Sequence, residues 1–321
     1  MSGTVPAPSL ASRDTAPLWR ALLSMQRFAW EQGVATHAAI DSGHLGLARM
    51  LARDAVTRQD ADGQLGAMDD AGAVNSGPLL EATLLLGEDD APAAEAAQRQ
   101  RWWLLRHSPR DDWGVLHHLK GSTEVWADSV YMVVPALVAS GDLAPADMQY
   151  RMHREQLWDA GTGLYRHRYD MASGEFARDA FWASGSGWVA AGLARALHLG
   201  VEADTVRARW EREARELIDA CTAFERPDGR FHDVLDDPST FVDGGAGLML
   251  AYAAFTGVAD GWLPASYADD AARWAEAALA SVGEDGIVRE VCGAPGFDRS
   301  GTSAEAQAFA ILAIAAASRL T

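Results

Sequence analysis

Asp128 stands in an apolar run, Val125-Trp126-Ala127-Asp128-Ser129-Val130-Tyr131-Met132-Val133-Val134. Read with a 3.6-residue period, the run predicts a helix that is hydrophobic almost all round and therefore buried. A carboxylate on such a helix must be paired, neutralised or put to use, because an isolated buried charge is costly. An ion pair with one of the many arginines is the plain structural reading. A second segment favours a functional one: Phe181-Trp182-Ala183-Ser184-Gly185-Ser186-Gly187-Trp188-Val189 opens another apolar helix with tryptophans, hydroxyls and glycines. Indole faces offer apolar area to the C–H groups of a sugar ring, while hydroxyls and carboxylates supply hydrogen bonds. Together the two segments predict the floor of a sugar-binding pit.

These residues have to be positioned by a scaffold, and the chain carries a long-period repeat. Five turns share a glycine followed by alternating apolar and polar residues; the glycines are Gly63, Gly114, Gly163, Gly229 and Gly286. Between them lie apolar helical segments at roughly 16–40, 45–58, 75–87, 91–107, 123–139, 145–157, 180–197, 202–223, 239–256, 264–281 and 302–319. Thr302-x-x-Glu305 fits a capping box and Thr240-x-x-Asp243 a variant of one. Pro135 is expected to kink its helix without ending it. The segments 123–139, 180–197, 239–256 and 302–319 are the most apolar, whereas 91–107 and 202–223 carry charge on one face. Two helices per unit with alternating apolar and amphipathic character predict six hairpins closed into an all-α (α/α)6 barrel. An open solenoid would need polar capping repeats, and the segment 304–318 is too apolar for one.

In such a ring the turns and the starts of the inner helices line one mouth. That places Trp126, His117, His118, Asp128, His167, Trp182, Ser184, Ser186, Trp188, His232 and Asp243 on one concave surface. Strand-like alternation around His167 puts Tyr165 and Tyr169 on its face and Arg166 and Arg168 on the other.

Composition narrows the partners. A net charge of −18 argues against nucleic acid and long polyanions, so a small anion would need a local cluster of donors. Lys120 is the single lysine. Cys221 and Cys292 are too few for a disulfide framework, and neither they nor the histidines show metal-ligand spacing, so no metal or other cofactor is expected. No apolar run is long enough to span a membrane. The N-terminus lacks the features of a signal peptide, which predicts a cytoplasmic protein with a disordered lead-in over 1–14 and a single catalytic domain over 15–321.

Three motifs in order, Glu-Val-Trp-Ala-Asp128-Ser-Val-Tyr131-Met132, Gly163-Leu-Tyr-Arg-His167-Arg-Tyr-Asp170 and Phe-Trp182-Ala-Ser-Gly-Ser-Gly-Trp188-Val, resemble the unsaturated glycuronyl hydrolases of glycoside hydrolase families 88 and 105, and among them the unsaturated rhamnogalacturonyl hydrolases of family 105. Phe231-His-Asp-Val-Leu-Asp and Ser303-Ala-Glu-Ala-Gln-Ala-Phe also fit in order, so the resemblance runs from about residue 20 to the C-terminus. It implies an (α/α)6 barrel and a substrate that is a small oligosaccharide ending in a 4,5-unsaturated uronic acid. It also implies that Asp128 protonates C4 of the vinyl ether and directs water to C5, with Tyr131 among the residues around the substrate. This is unlike the two-carboxylate geometry of ordinary glycosidases.

Two departures stand out. The family's Trp-Ala-Arg-Gly-Asn-Gly-Trp reads Trp-Ala-Ser184-Gly-Ser186-Gly-Trp, which leaves Ser184, His167 or Arg166 to hold the uronate carboxylate. The second family aspartate is out of register with Asn75-Ser76-Gly77, which leaves Asp69 or Asp70 to substitute. Competing readings are a sugar epimerase on the same barrel, which would use the turn histidines as bases, and a sugar-binding homologue without turnover.

Overall fold

A computed structural model describes residues 10–67 and 71–321. Its core is a ring of six inner helices: α2 (Ala29–Asp41), α4 (Leu79–Gly87), α6 (Ser129–Ala139), α8 (Ala183–Leu199), α10 (Gly244–Ala259) and α12 (Ala304–Ser318). Each packs on the next, and α12 closes the ring against α2. The outer layer is α1 (Ala16–Met25), α3 (Leu45–Thr57), α5 (Ala91–Trp102), α7 (Leu143–Leu157), α9 (Asp204–Thr222) and α11 (Tyr267–Leu279). This is the (α/α)6 barrel that the alternation of apolar and amphipathic segments predicts. Every residue of α12 from Ala304 to Ala317 is buried, whereas α9 buries only the stripe Trp210, Ala214, Leu217, Ile218 and Cys221. An inner helix meets neighbours on all sides and an outer one on a single face.

All five repeat glycines have left-handed backbones, with φ of 101° at Gly63, 98° at Gly114, 73° at Gly163, 78° at Gly229 and 80° at Gly286. A side chain is strained there, which is why glycine recurs at each outer-to-inner crossing. Residues 10–12, within the span expected as a lead-in, form a 3-10 turn whose Leu10 is buried beside α12, and residues 1–9 lie outside the described residues. No helix among the described residues is long and apolar enough to cross a membrane.

Several helix starts differ from expectation. The apolar run at 124–126 is a strand, β1 (Glu124–Trp126), and α6 begins only at Ser129. Asp128 therefore sits at the entrance of α6 rather than within it. Pro135 lies inside α6 and does not end it. The caps expected at Thr302 and Thr240 fall instead on Ser303, which accepts from Ala306 N, and on Asp243, which accepts from Gly245 N. Around the same mouth run short strands: β2 (Trp158–Asp159), β3 (Leu164–Tyr165), β4 (Arg168–Asp170), β5 (Glu175–Arg178), β6 (Phe231–His232), β7 (Val242–Asp243), β8 (Val291–Cys292) and β9 (Ser300–Gly301). The order β1-β4-β5 makes a three-stranded antiparallel sheet.

Candidate active site

A cavity of about 670 Å³ opens at the mouth where the inner helices begin. Of the expected residues, Asn75, His118, Trp126, Asp128, His167, Trp182 and Trp188 line it. A cavity of this size suits a small oligosaccharide end.

Asp128 is 8 % exposed. Its backbone carbonyl accepts from Tyr131 N and Met132 N, opening α6, but its side chain does not cap the helix. The carboxylate is instead turned to the cavity. Its Oδ2 lies 3.6 Å from His118 Nε2, and its Oδ1 is buried with no hydrogen-bond partner among the described residues. An unpaired buried carboxylate oxygen costs stability, so its presence calls for a reason such as a catalytic role.

Trp126 forms one wall, stacked on His118 at 4.1 Å between ring centroids and meeting His167 edge-on at 5.6 Å. Trp182 forms another, 4.4 Å from the His167 ring. His167 is 7 % exposed. Its Nδ1 accepts from Arg178 Nη1 at 3.0 Å, so the neutral ring carries its proton on Nε2. Burial, aided by the charges of Arg178 and Arg168, holds its pKa well below the usual histidine range.

Several expected residues stand elsewhere. Tyr131 is fully buried behind the wall, its hydroxyl 2.8 Å from His37 Nδ1 and its ring edge-on to Trp188 at 4.8 Å. Ser184 Oγ donates to Asp243 Oδ2 at 2.7 Å and lines a chamber of about 10 Å³ behind Trp182 and Trp188. Ser186 is fully buried against Cys221. His232 is turned to Arg226 Nη1 and the Thr240 carbonyl, away from the cavity. Asp70 and Asp69 lie outside the described residues. Arg166 is bound to Asp159 and Asp179, away from the cavity. His117 faces a shallow outer cleft with Lys120 and Asp170.

The cavity also holds residues that the sequence reading did not assign to it. Arg168 lines it because His167 precedes β4 and the register shifts between Arg168 and Tyr169, which breaks the simple alternation. Arg178 ends β5, and nothing in its surroundings in the sequence marks it. Asp233 and Glu305 lie in the two motifs Phe231-His-Asp and Ser303-Ala-Glu, so their signal was present without a role attached. Trp30 and the turn Pro295–Asp298 complete the rim.

Two of these acids, Glu305 and Asp233, are protonated more readily than usual. Burial pushes the Glu305 carboxyl up to about 8, reinforced by Glu31 and Asp243, and its Oε2 has no hydrogen-bond partner among the described residues. Burial and Asp243 also raise Asp233, against the pull of Arg178. Asp233, Asp243 and Cys292 place their ligand atoms within 4.8 Å of one another. Their contacts are already satisfied: the Cys292 thiol, itself pushed upward by burial, donates to Asp233, and Asp243 accepts from Ser184 Oγ and the Cys292 and Gly245 amides. Each of the three groups thus already has hydrogen-bond partners within this network.

Comparison with known proteins agrees with this architecture. A profile described as Glycosyl Hydrolase Family 88 matches residues 20–318. The unsaturated rhamnogalacturonyl hydrolase YesR of Bacillus subtilis (strain 168) is 25 % identical over 210 residues, 61 % of this chain and 59 % of that protein, so the match spans less than two thirds of the relative. Among solved structures, a possible member of the GH105 family from Klebsiella pneumoniae subsp. pneumoniae MGH 78578 superposes with a TM-score of 0.83 at 20 % identity, covering 100 % of this chain and 96 % of that one. The unsaturated glucuronyl hydrolase from Bacillus sp. GL1 superposes with a TM-score of 0.66 at 16 % identity, covering 89 % and 84 %. With a family profile matched over nearly its whole length, the chain belongs to glycosyl hydrolase family 88.

Proposed function

We propose that this protein removes a 4,5-unsaturated uronic acid from the non-reducing end of small oligosaccharides by hydrating the C4=C5 double bond. The observation that carries the reading is Asp128: a carboxylate with one oxygen unpartnered among the described residues, facing a cavity walled by Trp126, Trp182 and Trp188. Family membership supports the same chemistry.

In this reading the Asp128 carboxyl gives its proton to C4, and the resulting carboxylate takes a proton from the water whose oxygen bonds to C5. Asp128 is thereby restored, as one group acting in turn as acid and base requires. The hemiketal at C5 then opens, breaking the bond from C5 to the ring oxygen. C1 is left as a hemiacetal that releases the aglycone alcohol. The bond between the anomeric carbon and the glycosidic oxygen is never attacked directly.

The test is incubation with lyase-generated disaccharides in heavy water, following loss of the ultraviolet absorbance of the conjugated double bond and locating deuterium by mass spectrometry. Deuterium at C4, with no cleavage of the saturated uronide, is expected. Cleavage with an unlabelled C4 would remove Asp128 from this role. Epimerisation without cleavage would identify an epimerase, and tight binding without turnover a sugar-binding homologue.

A further inference from the structure

Trp126, Arg168 and Arg178 are successive cross-strand partners across the sheet β1-β4-β5, and all three line the cavity. Like charges directly opposite on neighbouring strands repel, so this pair of guanidiniums needs a reason. Local acids compensate it only in part. Arg168 approaches Glu124 Oε2 no closer than 3.8 Å, and its Nε is buried without a hydrogen-bond partner among the described residues. Arg178 donates Nη2 to Asp233 Oδ2 at 3.2 Å and spends Nη1 on the neutral ring of His167. That ring in turn leaves its Nε2–H buried and unpartnered among the described residues. Arg168 and Arg178 are the only cationic side chains among the described residues lining the cavity. Helix α8 offers no cation there, since position 184 is a serine committed to Asp243.

We propose that Arg168 and Arg178, together with the Nε2–H of His167, form the subsite that holds the carboxylate of the unsaturated uronic acid. This inference rests on the function proposed above. Guanidinium forks match a carboxylate in geometry as well as charge, and an anion seated there relieves the repulsion across the β4-β5 pair. Asp233, bonded to Arg178, is a positioning residue in this arrangement.

The experiment compares unsaturated galacturonyl-rhamnose with its carboxyl methyl ester, which keeps the sugar and removes the charge. Wild-type protein should prefer the acid. In Arg168→Gln and Arg178→Gln proteins that melt with the wild type, kcat/KM on the acid should fall about 10- to 100-fold through KM. The ester should lose much less, so that the acid-to-ester ratio collapses, and Arg178→Lys should restore part of it. Equal losses on acid and ester, or an unchanged ratio, would overturn the proposal. The same ratio is read without turnover by calorimetric titration of both compounds into Asp128→Asn protein, with and without the Arg178 substitution. Absence of turnover by the wild type would sink the function, whereas acid and ester binding equally well would sink only the subsite.

Discussion

His118 couples three parts of the site. Its ring lies flat on Trp126, with 5° between the planes, while its Nε2 approaches Asp128 Oδ2 at 3.6 Å and its Nδ1 lies 2.9 Å from Ser129 Oγ. One imidazole thus joins the wall tryptophan, the carboxylate and the first residue of α6, while Asp128 Oδ1 has no hydrogen-bond partner among the described residues.

Replacing Asp128 by asparagine should therefore abolish turnover without unfolding the protein. The amide has the same shape but cannot deliver and recover a proton. A fall in kcat of about 10²–10⁴ is expected, with a melting temperature close to wild type, measured by ultraviolet assay and calorimetry. Near-normal activity would show that another group moves the proton.

The two tryptophans flanking the Gly-Ser-Gly segment should behave differently. Trp182 faces the cavity beside His167, so Trp182→Ala should weaken substrate binding by about 1–3 kcal/mol. Trp188 is also clasped by Tyr131 at 4.8 Å and Phe309 at 5.1 Å. Its alanine variant should lose about 3–5 kcal/mol of stability as well. Denaturant titration of both variants beside their KM values separates the effects, and equal stability losses would contradict the assignment.

Glu305 makes stability depend on pH in a direction opposite to that of a salt-bridged carboxylate. Its folded pKa lies up at about 8, above the ordinary value of 4.5. Between those values the folded state holds a proton that the unfolded state has released, so the stability this group contributes falls as pH rises. Glu305→Gln keeps a neutral side chain throughout. Its melting temperature relative to wild type should climb from pH 5 to pH 8 and level off above that. A constant difference over this range would mean that Glu305 is charged when folded.

A second buried network lies among the inner helices, outside the cavity lining. Arg195, 1 % exposed, grips Glu81 through Nε at 2.8 Å and Nη2 at 2.7 Å, and reaches Asp41 at 3.1 Å. Arg195→Met leaves both carboxylates without their cation and should cost about 3–5 kcal/mol. Urea unfolding gives the number; a loss under about 1 kcal/mol would mean that water reaches the acids.

The barrel was legible because its signals are repetitive: left-handed glycines at each crossing, and helices apolar on all sides alternating with one-faced ones. The tryptophan walls, His118, His167 and Asp128 could be read for the same reason, since each follows a turn or opens an inner helix. Individual side-chain directions were less accessible. The pattern points to His232, whereas its neighbour Asp233 faces the cavity, because in an extended segment one position reverses the direction. Ser184 and Ser186 sit on a helix whose whole circumference is buried, so small polar residues there could serve the cavity or the packing behind it. Arg178 was invisible because its place depends on pairing with β4, a register shift away from simple alternation.

Closure of the ring gives the protein an order in time. Helix α12 seals the circle against α1 and α2, Gln307 Nε2 donates to the Leu18 carbonyl at 3.2 Å, and Glu305 enters the cavity from the same helix. Contacts between such distant parts of a chain form late and slowly. A ribosome that has made everything up to α11 has therefore produced five complete hairpins around an open apolar seam, with the cavity missing one wall. Until α12 emerges, the nascent chain is exposed to aggregation, so the closed cavity and protection of the core arrive in a single step.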